Sequence, residues 1–321
     1  MSILLPKYFK KKYNILILLI TVSCAETNIK DFKTINIERF ERIFYNSDSV
    51  SLENVIDKYP YFFPKKYTNE VWINRLNDPI QKEIFSEIDK EFNNLVLLED
   101  QISSFFEKNK YFFPKQNHPK IITINTDINY FNKIILTDSI LLIGLDNYLG
   151  SDHRFYENIP EYIREDLNKN KIISDIAEEY ALKLIPKTNF YTFLDKIIFY
   201  GKILYYKDVT IENYSDRLKI GYSDKKMKWA LKNEYNTWVY FIENEILYDP
   251  DNKLNSRFID DAPFSRFYLD FDNESSEMIG KFIGWRIIKS YMKYNKSSLQ
   301  EMLETNPVDI INKSKYKPKK L

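Results

Sequence analysis

An α+β fold, predominantly helical and with one small sheet in the middle of the chain, is what the sequence predicts. Three observations predict it. Apolar residues recur every three or four positions before residue 117 and again after residue 160. Between about 120 and 146 the period changes to short β-branched runs. Glycine is scarce, six in 321 residues and all after residue 143, which suits helices joined by tight connections.

The first element is not part of the fold. Residues 1–13 carry Lys7, Lys10, Lys11 and Lys12 and no acid, and the apolar run 15–22 leads to Ser23 and Cys24. A charged start, a short apolar stretch and small residues before a cut form a secretion signal. Eight apolar residues fall well short of the roughly 20 that span a bilayer. Cys24, the sole cysteine, would be the first residue after cleavage at Ser23. That is the arrangement of a lipoprotein signal, although Thr21 and Ser23 also fit an ordinary small-x-small site. Acylated with more than one chain, Cys24 would hold the protein stably on a membrane, with no free thiol left. The expected organisation is a signal peptide over 1–23, an acylated tether over 24–36 and one globular domain over 37–321. That domain has a helical first half (37–117), a strand region (118–150), a helical second half (151–313) and a basic tail.

The elements follow in order. Residues 37–44 read as a short amphipathic helix. Residues 79–92 place Ile80, Ile84, Ile88 and Phe92 on one face, and 95–108 continue after a break at Asn93-Asn94. Residues 51–65 and 101–115 form an imperfect repeat, each ending Tyr-Phe-Phe-Pro-Lys. Its plainer reading is a helix that stops before proline and pins its exit with phenylalanines; the sharper reading is a pair of aromatic docking corners. Residues 121–126 read as a strand, and 134–137 with 140–145 as a hairpin around Asp138-Ser139. Helices return at 160–169, 173–186, 191–206, 224–247 and 275–294, and short ones near 298–304 and 307–313 close the fold. Gly280 and Gly284 share a helix face that Lys281, Arg286 and Lys289 make too polar for a membrane, so a close contact with a neighbouring helix is expected. Residues 313–321, with five lysines, read as a solvated end.

Loss of residues 1–23 leaves 43 basic against 46 acidic side chains, a net −3. That gives no basic excess for nucleic acid and no basic face for lipid headgroups beyond the anchor. No phosphate loop, dinucleotide fingerprint, nucleophile elbow or Cys/His zinc spacing is present, and no cofactor is implied. His118 before Pro119 reads as surface. Titratable residues that might form a cleft are Asp138, Asp146, His153, Glu178, Glu179, Asp260 and Asp261. The pair Asp260-Asp261 reads either as a cation or acid–base pair or as a cap on the turn before Pro263.

Several segments resemble the gliding-motility lipoprotein GldB family of Bacteroidota: 141–150 (LLIGLDNYLG), 160–164 (PEYIR), 201–206 (GKILYY), 220–223 (IGYS) leading to Trp229, 253–271 (KLNSRFIDDAPFSRFYLDF), 279–285 (IGKFIGW) and 314–318 (SKYKP). The resemblance implies a lipid-anchored, periplasm-facing component of the gliding apparatus in the cell envelope, tied to type IX secretion, with other motility or secretion proteins as partners. That family in turn is similar to predicted zinc-dependent proteases of the gluzincin type, which implies a degenerate zincin-like architecture. On that likeness the helix holding Glu178 and Glu179 stands where His-Glu-x-x-His would be. Glu178 and Leu182 replace both histidines, so a non-catalytic role is expected, with a hydrolase built on an altered acidic site as the alternative. The strand edge near 121–145 is the expected binding surface, since an open edge accepts a partner strand.

Overall fold

The computed structural model describes residues 35–186 and 189–320. The leader, Ser23, Cys24 and the first part of the tether lie outside the described residues. Everything below concerns the unit Thr34–Leu321.

The chain enters through a strand, β1 (Ile37–Arg39), where a helix was expected. It pairs in parallel with Ile121, Ile122 and Thr123. Three residues carry too little pattern to be told from a helix start; the partner strand decides. Helices α1 (Phe40–Tyr45), α2 (Leu52–Lys58), α3 (Asn69–Asn77), α4 (Pro79–Glu91) and α5 (Val96–Phe112) follow. Asp78 accepts from the N–H groups of Ile80 and Gln81, and Pro79 occupies the first turn, so α4 starts where local chemistry dictates. Both copies of the repeat turn phenylalanine inward as the helix ends. Phe63 joins Phe40, Phe44 and Trp72, and Phe113 faces Tyr206, while Tyr61 and Tyr111 stay exposed.

The sheet holds β1, β2 (Lys120–Ile124), β3 (Ile134–Leu136) and β4 (Ile140–Gly144) in the order β1-β2-β4-β3. β2 is parallel to β1 and β4, and β3 closes an antiparallel hairpin on β4. Ile121, Ile122, Leu141 and Ile143 are buried, as near-continuous apolar strands covered on both faces must be. The open edge expected near 121–145 is met only by the short β3: β2 and β4 are the inner strands, and the other edge is β1.

The second half contains α6 (Glu161–Arg164), α7 (Ile172–Leu184), α8 (Phe193–Thr210), α9 (Asp216–Ile220), α10 (Asp224–Glu243), α11 (Lys253–Phe258), α12 (Ile279–Tyr294), α13 (Leu299–Glu304) and α14 (Pro307–Ser314). The helix expected over 160–169 is cut to one turn, because Asn168 bridges to Leu149 and its side chain accepts from Asn170 N–H. At the centre α8 packs on α12 backbone to backbone. A Cβ on Gly284 would stand 1.7 Å from the Ile197 carbonyl oxygen, and one on Gly201 would stand 2.4 Å from Gly284. The glycine pair thus works as a soluble close contact. The tail is less free than expected: Tyr316 donates to Glu234 at 3.0 Å and sets its ring edge-on to Trp238.

Candidate functional site

A cleft of about 640 Å³ opens between the β3 hairpin, the α7 and α9 region and the start of α12. Its floor is one face of α7. Residues three and four apart on a helix share a face, which brings together Asp175, Glu178 and Glu179, with Lys171 one turn before. The other side of α7 buries Ile173, Ile176, Ala177, Tyr180 and Ala181. The helix is therefore held by its apolar side and shows its carboxylates to the cleft.

Each acid but one meets a cation. Lys207, 1 % exposed on α8, donates to Glu178 Oε2 at 2.6 Å, Ser174 Oγ at 3.1 Å and the Lys219 carbonyl at 3.1 Å. Its three protons thus have three acceptors. The nearby Lys207 charge holds the Glu178 carboxyl down at about 2, against a burial penalty that alone would raise it. Glu178 is not sealed in: its side chain is 39 % exposed to the cleft. Asp175 accepts from Lys133 at 2.8 Å and from the Tyr148 hydroxyl at 2.9 Å. Burial raises its pKa, but Lys133 and Lys171 outweigh that and leave it below the ordinary range. Lys171 reaches Asp166 at 3.2 Å and the Leu218 carbonyl at 3.2 Å. Gly221, at φ +87°, makes room for that pair; a Cβ there would meet Asp166 at 2.7 Å. At the rim Lys281 lies 3.7 Å from Asp261, and Lys226 lies 3.5 Å from Glu277. Burial pushes Glu277 up to about 7.

Glu179 is the exception. Its carboxylate has no ion pair or hydrogen bond among the described residues, and burial together with Glu178 and Asp175 raises its pKa. The same cleft is lined by the apolar side chains of Tyr130, Phe131, Tyr162, Ile163 and Met278.

Of the residues read from sequence, Glu178, Glu179 and Asp261 line this cleft. The others are elsewhere. Asp138 sits exposed in the β3–β4 turn, paired with Lys183, because a two-residue hairpin tip has nothing above it to bury against. Asp146 is wholly buried below the hairpin. It accepts from the backbone N–H groups of Thr126 and Ile128 and from the Thr126 hydroxyl. Desolvation, with no cation to offset it, raises Asp146 to about 6. His153 stacks near Phe155 and Tyr156 and lies 3.5 Å from Glu87 on α4. Asp260 is exposed beyond the end of α11 and does not line the cleft. Asp261 lies 3.7 Å from Lys281. His118 is on the surface, stacked on Phe106.

Sequence reasoning missed Lys133, Lys171, Lys207, Lys281, Asp166, Asp175 and Glu277. One signal was available: a lysine such as Lys207 among apolar residues of α8 can be buried only if acceptors meet its ammonium, an acid as at Lys207 or carbonyls as at Lys202. Among the described residues no group of three or more His, Cys, Asp or Glu side chains is placed to hold a metal ion.

The model of the family described as gliding motility protein GldB matches residues 23–318. The chain belongs to that family. It is thereby placed among components of gliding motility. No curated protein and no solved structure gives a match. No helix among the described residues is long and apolar enough to cross a membrane.

Proposed function

We propose that this chain is a lipid-anchored, non-catalytic component of the gliding apparatus that acts by assembly with other motility or secretion proteins, in an envelope linked to type IX secretion. The observation that carries the non-catalytic part is the Glu178–Lys207 pair. On the helix where an ancestral metal ligand would be sought, the carboxylate already meets an ammonium at 2.6 Å. A lysine that is 1 % exposed leaves no room for a second cation on the same oxygen. The anchoring part is supported by Cys24 behind the secretion signal and by a family match that begins beside it, at residue 23. Anchoring at Cys24 would leave the folded body facing the periplasm.

The test is a gene deletion complemented with wild type or with Cys24→Ala, read as colony spreading and single-cell movement. Deletion is expected to stop both. Cys24→Ala is expected to restore neither, and palmitate labelling is expected to be lost with the cysteine. Normal movement in the deletion would sink the reading.

A second reading, a hydrolase on an altered acidic site, is favoured by Glu179, an unpartnered carboxylate of raised pKa inside a cleft. It predicts peptide hydrolysis by the purified protein that Glu179→Gln abolishes.

A further inference from the structure

The cleft has two unlike walls, and neither is satisfied by the protein itself. On the charged wall the pairs are Lys133–Asp175, Lys171–Asp166, Lys207–Glu178, Lys226–Glu277 and Lys281–Asp261. Five lysines are thus matched with five acids, and Glu179 is left over. An uncompensated carboxylate in a part-buried site is a standing demand for a cation.

On the apolar side Phe131 is 82 % exposed, its ring 4.3 Å from that of its neighbour Tyr130 between centres. Such a ring is normally turned inward. The loop that precedes it has an unusual backbone. Asp127 and Ile128 both have left-handed backbone, φ +62° and +59°, and for β-branched Ile128 that conformation is strained. The strain is held by Asp146, which takes the Ile128 and Thr126 N–H groups, and by Gly144 N–H, which donates to the Lys133 carbonyl at 2.8 Å. The loop leading to Tyr130 and Phe131 is therefore tied down by hydrogen bonds, and both residues line the cleft.

The cavity of about 640 Å³ falls in the size range of binding sites for small ligands and short peptide segments. Resting on the assembly reading, we infer that this cleft receives a segment of a partner polypeptide carrying an arginine or lysine beside an apolar side chain. The cation meets Glu179, and the apolar group lies against Phe131 and Met278. A free polyamine would use the carboxylate and leave the aromatic wall bare. An acidic segment would meet Glu179 and Glu277 with like charge.

The test uses the purified folded body with fluorescent hexapeptide pools. One central position is fixed in turn as arginine, lysine, citrulline or glutamate, and its neighbour as phenylalanine or serine. The arginine–phenylalanine pool is expected to bind best, and citrulline, a neutral near-isostere of arginine, to lose about tenfold. Glu179→Gln is expected to lose about tenfold for the arginine pool and to leave the citrulline pool unchanged. Phe131→Ala should lose about fivefold, and only where phenylalanine is present. Asp138→Asn, outside the cleft, should change nothing. The inference is overturned if arginine and citrulline pools bind alike, if no pool binds more tightly than about 1 mM, or if spermidine displaces the best pool at equal concentration. Thermal melting of each variant checks that it is folded, and the charge-for-neutral comparison on the wild-type protein stands without any variant. Specific binding in a protein whose deletion leaves movement intact would sink the motility role and keep the cleft. Absent binding beside a strong deletion phenotype would do the reverse.

Discussion

Asp146 is wholly buried and Glu178 is 39 % exposed to the cleft, and the fold compensates the two carboxylates in opposite ways. Asp146 receives only dipoles, two backbone N–H groups and a hydroxyl, and desolvation wins: its pKa rises to about 6. Glu178 receives a full ammonium from Lys207 and stays ionised down to about 2. The difference shows that burial alone assigns no role to an acid. Neutral donors hold a loop in place, whereas a buried cation fixes a permanent charge pair at the floor of a cleft. The pH signatures follow. Asp146 binds its proton more tightly folded than unfolded, so its contribution to stability falls as pH rises from about 4 to about 6. Glu178 does the opposite: its contribution is present above about 4.5 and is lost as pH falls toward about 2.

The largest expected effect comes from separating the charge pair on its acid side. Glu178→Gln strands the Lys207 ammonium away from water and should cost about 3 kcal/mol in chemical denaturation. A cost below about 1 kcal/mol would mean that Lys207 finds other compensation. Lys207→Met should cost less, about 2 kcal/mol, since the orphaned Glu178 faces the cleft and regains water; an equal or larger loss would contradict that asymmetry. Asp146→Asn places an amide N–H against a backbone N–H and should cost about 2 kcal/mol at pH 7. It should also remove the fall in stability between about pH 4 and 6, which a pH series of denaturation midpoints would read. Glu179→Gln is the smallest change: within about 0.5 kcal/mol and on the stabilising side at pH 7, because it removes repulsion from Glu178 and Asp175.

Much of the fold was legible in the sequence where the local pattern was long. α4, α7, α10 and α12 lie close to their expected spans, and the hairpin of β3 and β4 falls where its two apolar runs flank Asp138-Ser139. The misses share one cause. β1 is three residues and exists because β2 offers it a partner. The tail is held because Glu234 and Trp238, far away in sequence, meet Tyr316. The candidate site was legible only in part. Glu178 and Glu179 are adjacent and helical, and Asp261 stood out beside a proline, but the sequence holds no cue that Asp146 turns under the hairpin while Asp166 and Lys171 turn toward the cleft.

By itself the sequence determined what depends on neighbours along the chain: the helical and strand periods and the close-packing glycines. The tertiary structure decided which acid meets which lysine, because a charge is paired by the nearest opposite charge in space. Lys207 and Glu178 are 29 positions apart in the chain, and their Nζ and Oε2 atoms are 2.6 Å apart. It also decided that Glu179 is left unmatched among the described residues in a cleft that Phe131 also lines, since only packing three-dimensional neighbours around a cavity reveals which group has none.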